Sequence, residues 1–124
     1  MFFKKDYKKV NVTPEILAAD KFVSFTGTLL QADVEADENG KLVCEAGTLI
    51  DADGYVVVVE DGALSGTPIG ILLDTVDCTY GEIEVPLLVE GYVYGDRLKL
   101  GENVETTAEN LALVTEALPE IKLR

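Results

Sequence analysis

Short apolar bursts, separated by turn residues, run along most of this chain. Phe22–Thr26 mixes aromatic and hydroxyl side chains in the manner of a half-buried strand. Lys41–Cys44 and Gly47–Ile50 follow an acidic loop, Asp33–Gly40, which ends in the hairpin dipeptide Asn39-Gly40. A second such dipeptide, Asp53-Gly54, closes the turn before Tyr55–Val59. That stretch is β-branched at four of its five positions, which predicts a strand buried on both faces or one lying at a subunit contact. Glu60–Thr67 reads as a Gly-containing loop. Ile69–Leu73 and Glu82–Val89 read as strands, and Pro86 marks the second as an edge strand or a bulged one. Gly91–Tyr94 continues the sheet after a bend.

Two stretches depart from this period. Thr13-Pro14-Glu15 carries the signals of a helix start, so a short helical turn is expected over about 14–19. Near the end, Thr106-x-x-Glu109 forms a capping box. Leu111, Val114 and Leu118 then share one helical face, and Pro119 stops the helix. Glu120–Arg124 alternates again and is expected to return as a strand. The pattern predicts a mainly β (α+β) fold: a small barrel or sandwich with one C-terminal helix. Residues 1–12 form an extended N-terminal arm, and 13–124 a single domain.

Composition sharpens this picture. The 124 residues include 23 acids and 10 bases, for a net charge of −13. Four of those bases, Lys4, Lys5, Lys8 and Lys9, lie in the first ten residues beside Phe2, Phe3 and Tyr7. The remainder repels phosphate backbones and anionic lipid, so neither nucleic acid nor a membrane is an expected partner. The arm reads either as a disordered tail or as a segment that docks on another protein. In the second case its aromatics are the anchors and its lysines meet acids. No stretch resembles a signal peptide, so export through the general secretory route is not expected.

Candidate chemistry is sparse. The chain has no histidine, which removes Ser-His-Asp and Cys-His catalysis and the commonest zinc ligand. Cys44 and Cys78 read as small core residues, with a single disulfide as the lesser alternative. Glu35-x-Asp37-x-Asn39-Gly40 matches the first half of a calcium loop, but Ala46 stands where the closing Glu belongs. An acidic hairpin turn is the better reading there and at Asp51–Gly54. Asp74 and Asp77 flank the end of a strand without any sign of a cleft. Ser65 and Thr67 have no base to activate them. No enzyme activity, metal or cofactor is expected.

Two stretches carry a resemblance. One is Glu45-Ala46-Gly47-Thr48-Leu49-Ile50 with the Asp53-Gly54 turn. The other is Gly66-Thr67-Pro68-Ile69-Gly70-Ile71-Leu72-Leu73-Asp74-Thr75-Val76-Asp77, followed by Val85–Gly91. In this order they resemble the head decoration proteins of tailed bacteriophages, the lambda-like group, and also phage head fiber proteins, over roughly residues 22–118. The resemblance implies a β-rich body with a helix. It implies a trimer at local threefold positions on the outer surface of an expanded head, assembled in the host cytoplasm. There it would bind the major capsid protein and hold neighbouring subunits against internal DNA pressure. Lambda-type members tend to carry a long Pro- and Thr-rich arm, and this chain has a short basic one. On this reading Phe2, Phe3, Lys4, Lys5, Tyr7, Lys8 and Lys9 attach the protein to the shell. Val56, Val57, Val58 and Val59 are candidates for the trimer contact, or else an internal core strand. Two alternatives remain from other classes. One is a carbohydrate- or host-surface-binding module on the virion, with Tyr55, Tyr80, Tyr92 and Tyr94 as its aromatics, or the base of a head fiber. The other is an enzyme using acidic residues, with or without calcium.

Overall fold

Neighbouring residues in the apolar runs go to opposite faces of one sheet. The computed structural model describes residues 16–31, 34, 36–101 and 104–124. Its main sheet is built from β1 (Leu17–Leu29), β3 (Leu49–Asp51), β4 (Val56–Val57), β7 (Pro68–Leu72) and β9 (Ile83–Val93), in the order β1-β9-β7-β3-β4. These strands pair antiparallel. A last strand, β10 (Ile121–Leu123), joins β9 in parallel. Among the described residues the fold is mainly β with one α-helix, as the sequence pattern predicts. The sheet's two ends are β1 and β4, so it is open and not a closed barrel.

Leu49, Val57, Ile71 and Leu88 pack on one face, and their neighbours Val56, Ile50, Leu72 and Leu87 pack on the other. Two-sided burial is why these strands read as runs rather than as strict alternation. The first face is covered by Val114 of α1 (Ala108–Ala117), by Leu118 and Ile121, and by Leu98 and Leu100. The second is covered by a two-stranded ladder of β2 (Val43–Cys44) and β8 (Val76–Asp77), which brings in Cys44 and Cys78. Each fully buried Leu or Ile contributes about 1.5–3 kcal/mol of transfer free energy.

One irregularity in β9 organises the upper sheet. Val23 pairs with Glu90, but the next residue, Ser24, pairs with Leu88, so Val89 is an extra residue on β9. An inserted residue swaps the faces beyond it. Val93 therefore joins Leu88 in the core, and Tyr92 and Tyr94 come out on the opposite face, half-exposed.

Several expectations need correction. No helical turn covers 14–19 where the chain is described: β1 begins at Leu17, which pairs with Val93. Six residues are too few for a helix to outlast competition from a ladder. Glu60–Thr67 is no open loop, since β5 (Val59–Glu60) and β6 (Ala63–Leu64) form a tight hairpin. Asp61 and Gly62 adopt φ of 50° and 80°, the left-handed pair that a two-residue hairpin turn requires. Tyr55–Val59 is split between two ladders, β4 with β3 and β5 with β6. For Pro86, of the two expected alternatives the edge is ruled out, because β9 has β1 on one side and β7 on the other, and the bulge is found on this strand, at Val89. The Pro86 carbonyl accepts from Leu73 N–H (3.2 Å), so its nitrogen faces the same side, just past the last β7 pair at Leu72↔Leu87. The ladder asks for no N–H there. The helix cap is Thr107, one residue later than the capping box places it: Thr107 Oγ1 accepts from Asn110 N–H at 3.3 Å. Asn110 Nδ2 donates to Glu105 O at 2.8 Å, and this second bond favours the shifted start.

Gly47 holds the Gly95–Leu100 segment against the sheet. Its N–H donates to Leu72 O (2.8 Å), and its carbonyl accepts from Lys99 N–H (3.0 Å). Its φ is +98°, and a Cβ there would lie 2.5 Å from Arg97 O. Gly62 has a similar φ of +80° with open space around it. Gly62→Ala should therefore cost about 1 kcal/mol, the left-handed penalty alone. Gly47→Ala should cost about 3 kcal/mol, because backbone must also move. Urea unfolding midpoints at constant m give both values.

Candidate functional site

The acidic turns use their carboxylates internally. Asp37 Oδ1 accepts N–H groups of Asn39 (2.8 Å) and Lys41 (3.0 Å). Asp51 Oδ1 does the same for Asp53 and Tyr55, both at 2.9 Å. Asp77 accepts from Thr79 N–H (2.9 Å) and from the Thr79 hydroxyl, whose oxygen accepts in turn from Leu42 N–H (2.9 Å). These bonds are the ordinary chemistry of Asx turns. Glu35 of the calcium-like motif lies outside the described residues, and among the described residues no three acids or cysteines gather as a metal would need. Ser65 is structural: its Oγ accepts from Val58 N–H (3.0 Å), and its N–H donates to Val58 O (2.7 Å).

Cys44 and Cys78 are buried free thiols, as the core reading expects. Cys44 pairs with Val76, and Cys78 N–H donates to Leu42 O, so the two stand diagonally across the β2–β8 ladder. Burial pushes both thiols above the usual range.

A group of exposed apolar residues lies on and around β1. This strand has 13 residues, spans roughly 40 Å, and is the outermost strand of its sheet. Phe25 is 66% exposed, and Phe22 and Val23 are 39% each. By register Val23 and Phe25 share a face with Tyr92 and Tyr94. Arg124 lies over the Tyr92 ring at 4.6 Å and Arg97 over the Tyr94 ring at 4.5 Å. Beside them, Lys21, Phe22, Glu90, Glu120 and Lys122 line a shallow groove of about 330 Å³.

The two ends of β1 differ in charge, one mixed, with Glu90, Asp96 and Glu120 among its bases, and the other strongly acidic. The start of the strand lies among Lys21, Arg97, Lys122 and Arg124, and Ile16 O accepts from Tyr94 N–H there (2.9 Å). The far end meets the acidic turns: Leu30 N–H donates to Gly54 O, and Gln31 Nε2 donates to the carbonyls of Cys78 and Thr79. Asp37, Glu38, Asp51, Asp53, Asp77 and Glu82 belong to those turns, with Lys41 as their only base.

The expected arm residues, Phe2 to Lys9, lie outside the described residues; the described chain begins at Ile16, at the basic end of β1. Of the four valines, Val57 and Val59 are buried within the chain, and Val56 and Val58 keep partial exposure. The four tyrosines do not converge: Tyr92 and Tyr94 are together, while Tyr80, 99% exposed, stands at the acidic end. Sequence reasoning passed over Val23 and Phe25 as half of an ordinary strand. It also missed the two arginines, whose partners lie 3 and 32 residues away along the chain.

The hydrogen bonds to Asp77 hold its carboxyl below the ordinary range, with the Thr79 hydroxyl as the main cause. A carboxylate with a depressed pKa contributes stability above its unfolded pKa and loses it as pH falls through the folded value. Asp77→Asn should therefore lower the melting temperature at pH 7, and the gap to the native chain should close as pH falls below about 4. Melting curves across pH 2.5–7 measure it (range set by the reference Asp value of about 3.9). Compared with family models, curated proteins and solved structures, the chain matches none.

Proposed function

We propose that this chain is a capsid decoration protein. It binds the outer surface of an expanded phage head as a trimer, contacts the major capsid protein and strengthens the shell against internal DNA pressure. The observation that carries the reading is the open outer edge of β1. A strand edge of this length presents a row of backbone groups that invite another strand, and soluble proteins normally blunt such edges. Here the edge is flanked by Phe22, Val23 and Phe25, and the basic, aromatic residues 2–9 precede it in the sequence. An edge and an arm that a partner covers would explain both features together.

Other features support the same reading. The mainly β body with its C-terminal helix agrees with the fold implied by the resemblance. In this reading the body is a small sandwich, with the β2–β8 ladder facing the main sheet across the Cys44–Leu87 core. Polar side chains are spent on turns, which suits a structural protein. Val56 and Val58 retain surface for a subunit contact. The glycan-binding alternative would draw on Tyr92 and Tyr94, but each ring already has an arginine on a face where a sugar would stack.

Purified expanded heads that lack this chain provide the test. The full chain should bind them saturably and raise the temperature at which the heads break open. A chain without residues 1–10 should bind at least about tenfold more weakly, the loss of roughly one good anchor. Equal binding by the truncated chain would remove the arm from the account, and absence of binding by the full chain would remove the decoration reading.

A further inference from the structure

One face of the upper sheet is uncovered. Beyond the bulge at Val89, β1, β9 and β10 lie side by side, and the core under the β2–β8 ladder does not extend to them. Val23 and Phe25 share this face with Tyr92 and Tyr94, and all four keep exposed surface. Lys21, Glu90, Glu120 and Lys122 line the groove beside them. An apolar centre with a charged rim is the ordinary anatomy of a protein contact.

Charge sets this end apart. The net charge is −13, and the first ten residues contribute +3, so the rest of the chain carries −16. The segments that build this end, 20–25, 90–97 and 120–124, hold four bases and four acids. They sum to zero, so all of the −16 falls on the remainder. Lys21, Glu90 and Glu120 share one groove, yet among the described residues no ion pair joins them.

We propose that a second copy of this chain docks on this face. The inference rests on the decoration reading only in that copies stand side by side on the shell, and it names the surface by which they touch. Three observations select this occupant. First, balance: two copies repel each other through the acidic remainder, and at this face the net repulsion vanishes. Second, self-complementarity: a face with Lys21 and Lys122 beside Glu90 and Glu120 offers each sign to its opposite on a duplicate of itself. A partner of one dominant sign would meet like charges here, as a nucleic acid would at Glu90 and Glu120. Third, anchors: Phe25 is 66% exposed at the middle of the face, and large aromatic residues are the side chains that contacts between proteins favour.

The face is small. Three strands about 4.8 Å apart and five residues about 3.3 Å apart enclose about 250 Å² of sheet, below the roughly 800 Å² that each partner gives to a stable interface. The free chain is therefore a weak oligomer, and copies held together on a shell gain occupancy from their effective concentration.

Sedimentation of the free full chain, without heads, tests the contact. Its average mass should rise between about 10 µM and about 1 mM, the range of weak contacts. Phe25→Ser and Glu90→Lys alter exposed side chains, and circular dichroism checks that both variants fold. Each should weaken association about tenfold. Glu90→Lys also lowers the net negative charge, so general repulsion alone predicts stronger association, and weakening identifies the face. A mixture of Glu90→Lys and Lys21→Glu should associate about as well as the native chain, because each face again meets its opposite. Tyr80→Ala, at the acidic end, should leave association unchanged. A native chain that stays monomeric up to about 1 mM, or variants within about twofold of it, would overturn the proposal. Head binding is read separately: a chain that self-associates through this face but leaves bare heads unbound would overturn the decoration reading and keep this contact.

Discussion

The structure depends on β9 being buried on both sides. It pairs with β1 along one edge and with β7 and β10 along the other, and its side chains feed two cores. A strand in that position cannot slip by one residue without exchanging both sets of core contacts. The extra residue at Val89 uses this sensitivity. Below it, Val85 and Leu87 pack under the β2–β8 ladder; above it, the same face carries Glu90, Tyr92 and Tyr94 instead. One inserted residue thus turns an internal surface into an external one part-way up the sheet.

That switch explains where the functional features collect. The lower sheet is covered on both faces, and its turns hold their own carboxylates in hydrogen bonds. The upper sheet is covered by the helix on one face only, and the other face is left to Val23, Phe25 and the Arg-stacked tyrosines. Four of the six bases outside the first ten residues are at this end, with Glu90, Asp96 and Glu120 among them. One end of the sheet is thus strongly acidic, and the other is aromatic and mixed in charge.

Much of the fold was legible because its signals are local. Asp53-Gly54 and Asn39-Gly40 mark hairpins by their backbone preference alone, and Pro119 ends the helix by steric exclusion. The closing strand at Ile121–Leu123 follows from simple alternation. What failed depends on partners distant in sequence. Pro86 reads as an edge residue until β7 is known to end beside it. The helical signal before Leu17 loses to pairing with Val93, 76 residues on. Asp61-Gly62 is as good a hairpin dipeptide as the other two, and was hidden by the weak apolar character of its flanks. The exposed face was the least legible part, since Phe22–Thr26 alternates equally well whether its second face meets water, core or a partner. Only the bulge at Val89, invisible in composition, decides between them.

The central proposal is that the chain decorates an expanded head as a trimer, with the open edge of β1 covered by the shell. Reconstruction of decorated heads by electron cryomicroscopy measures this directly. The account predicts density in threefold clusters on the outer surface, with the edge of β1 at Phe22–Phe25 against the shell. Density outside threefold clusters, or with the edge of β1 turned to solvent, would contradict it.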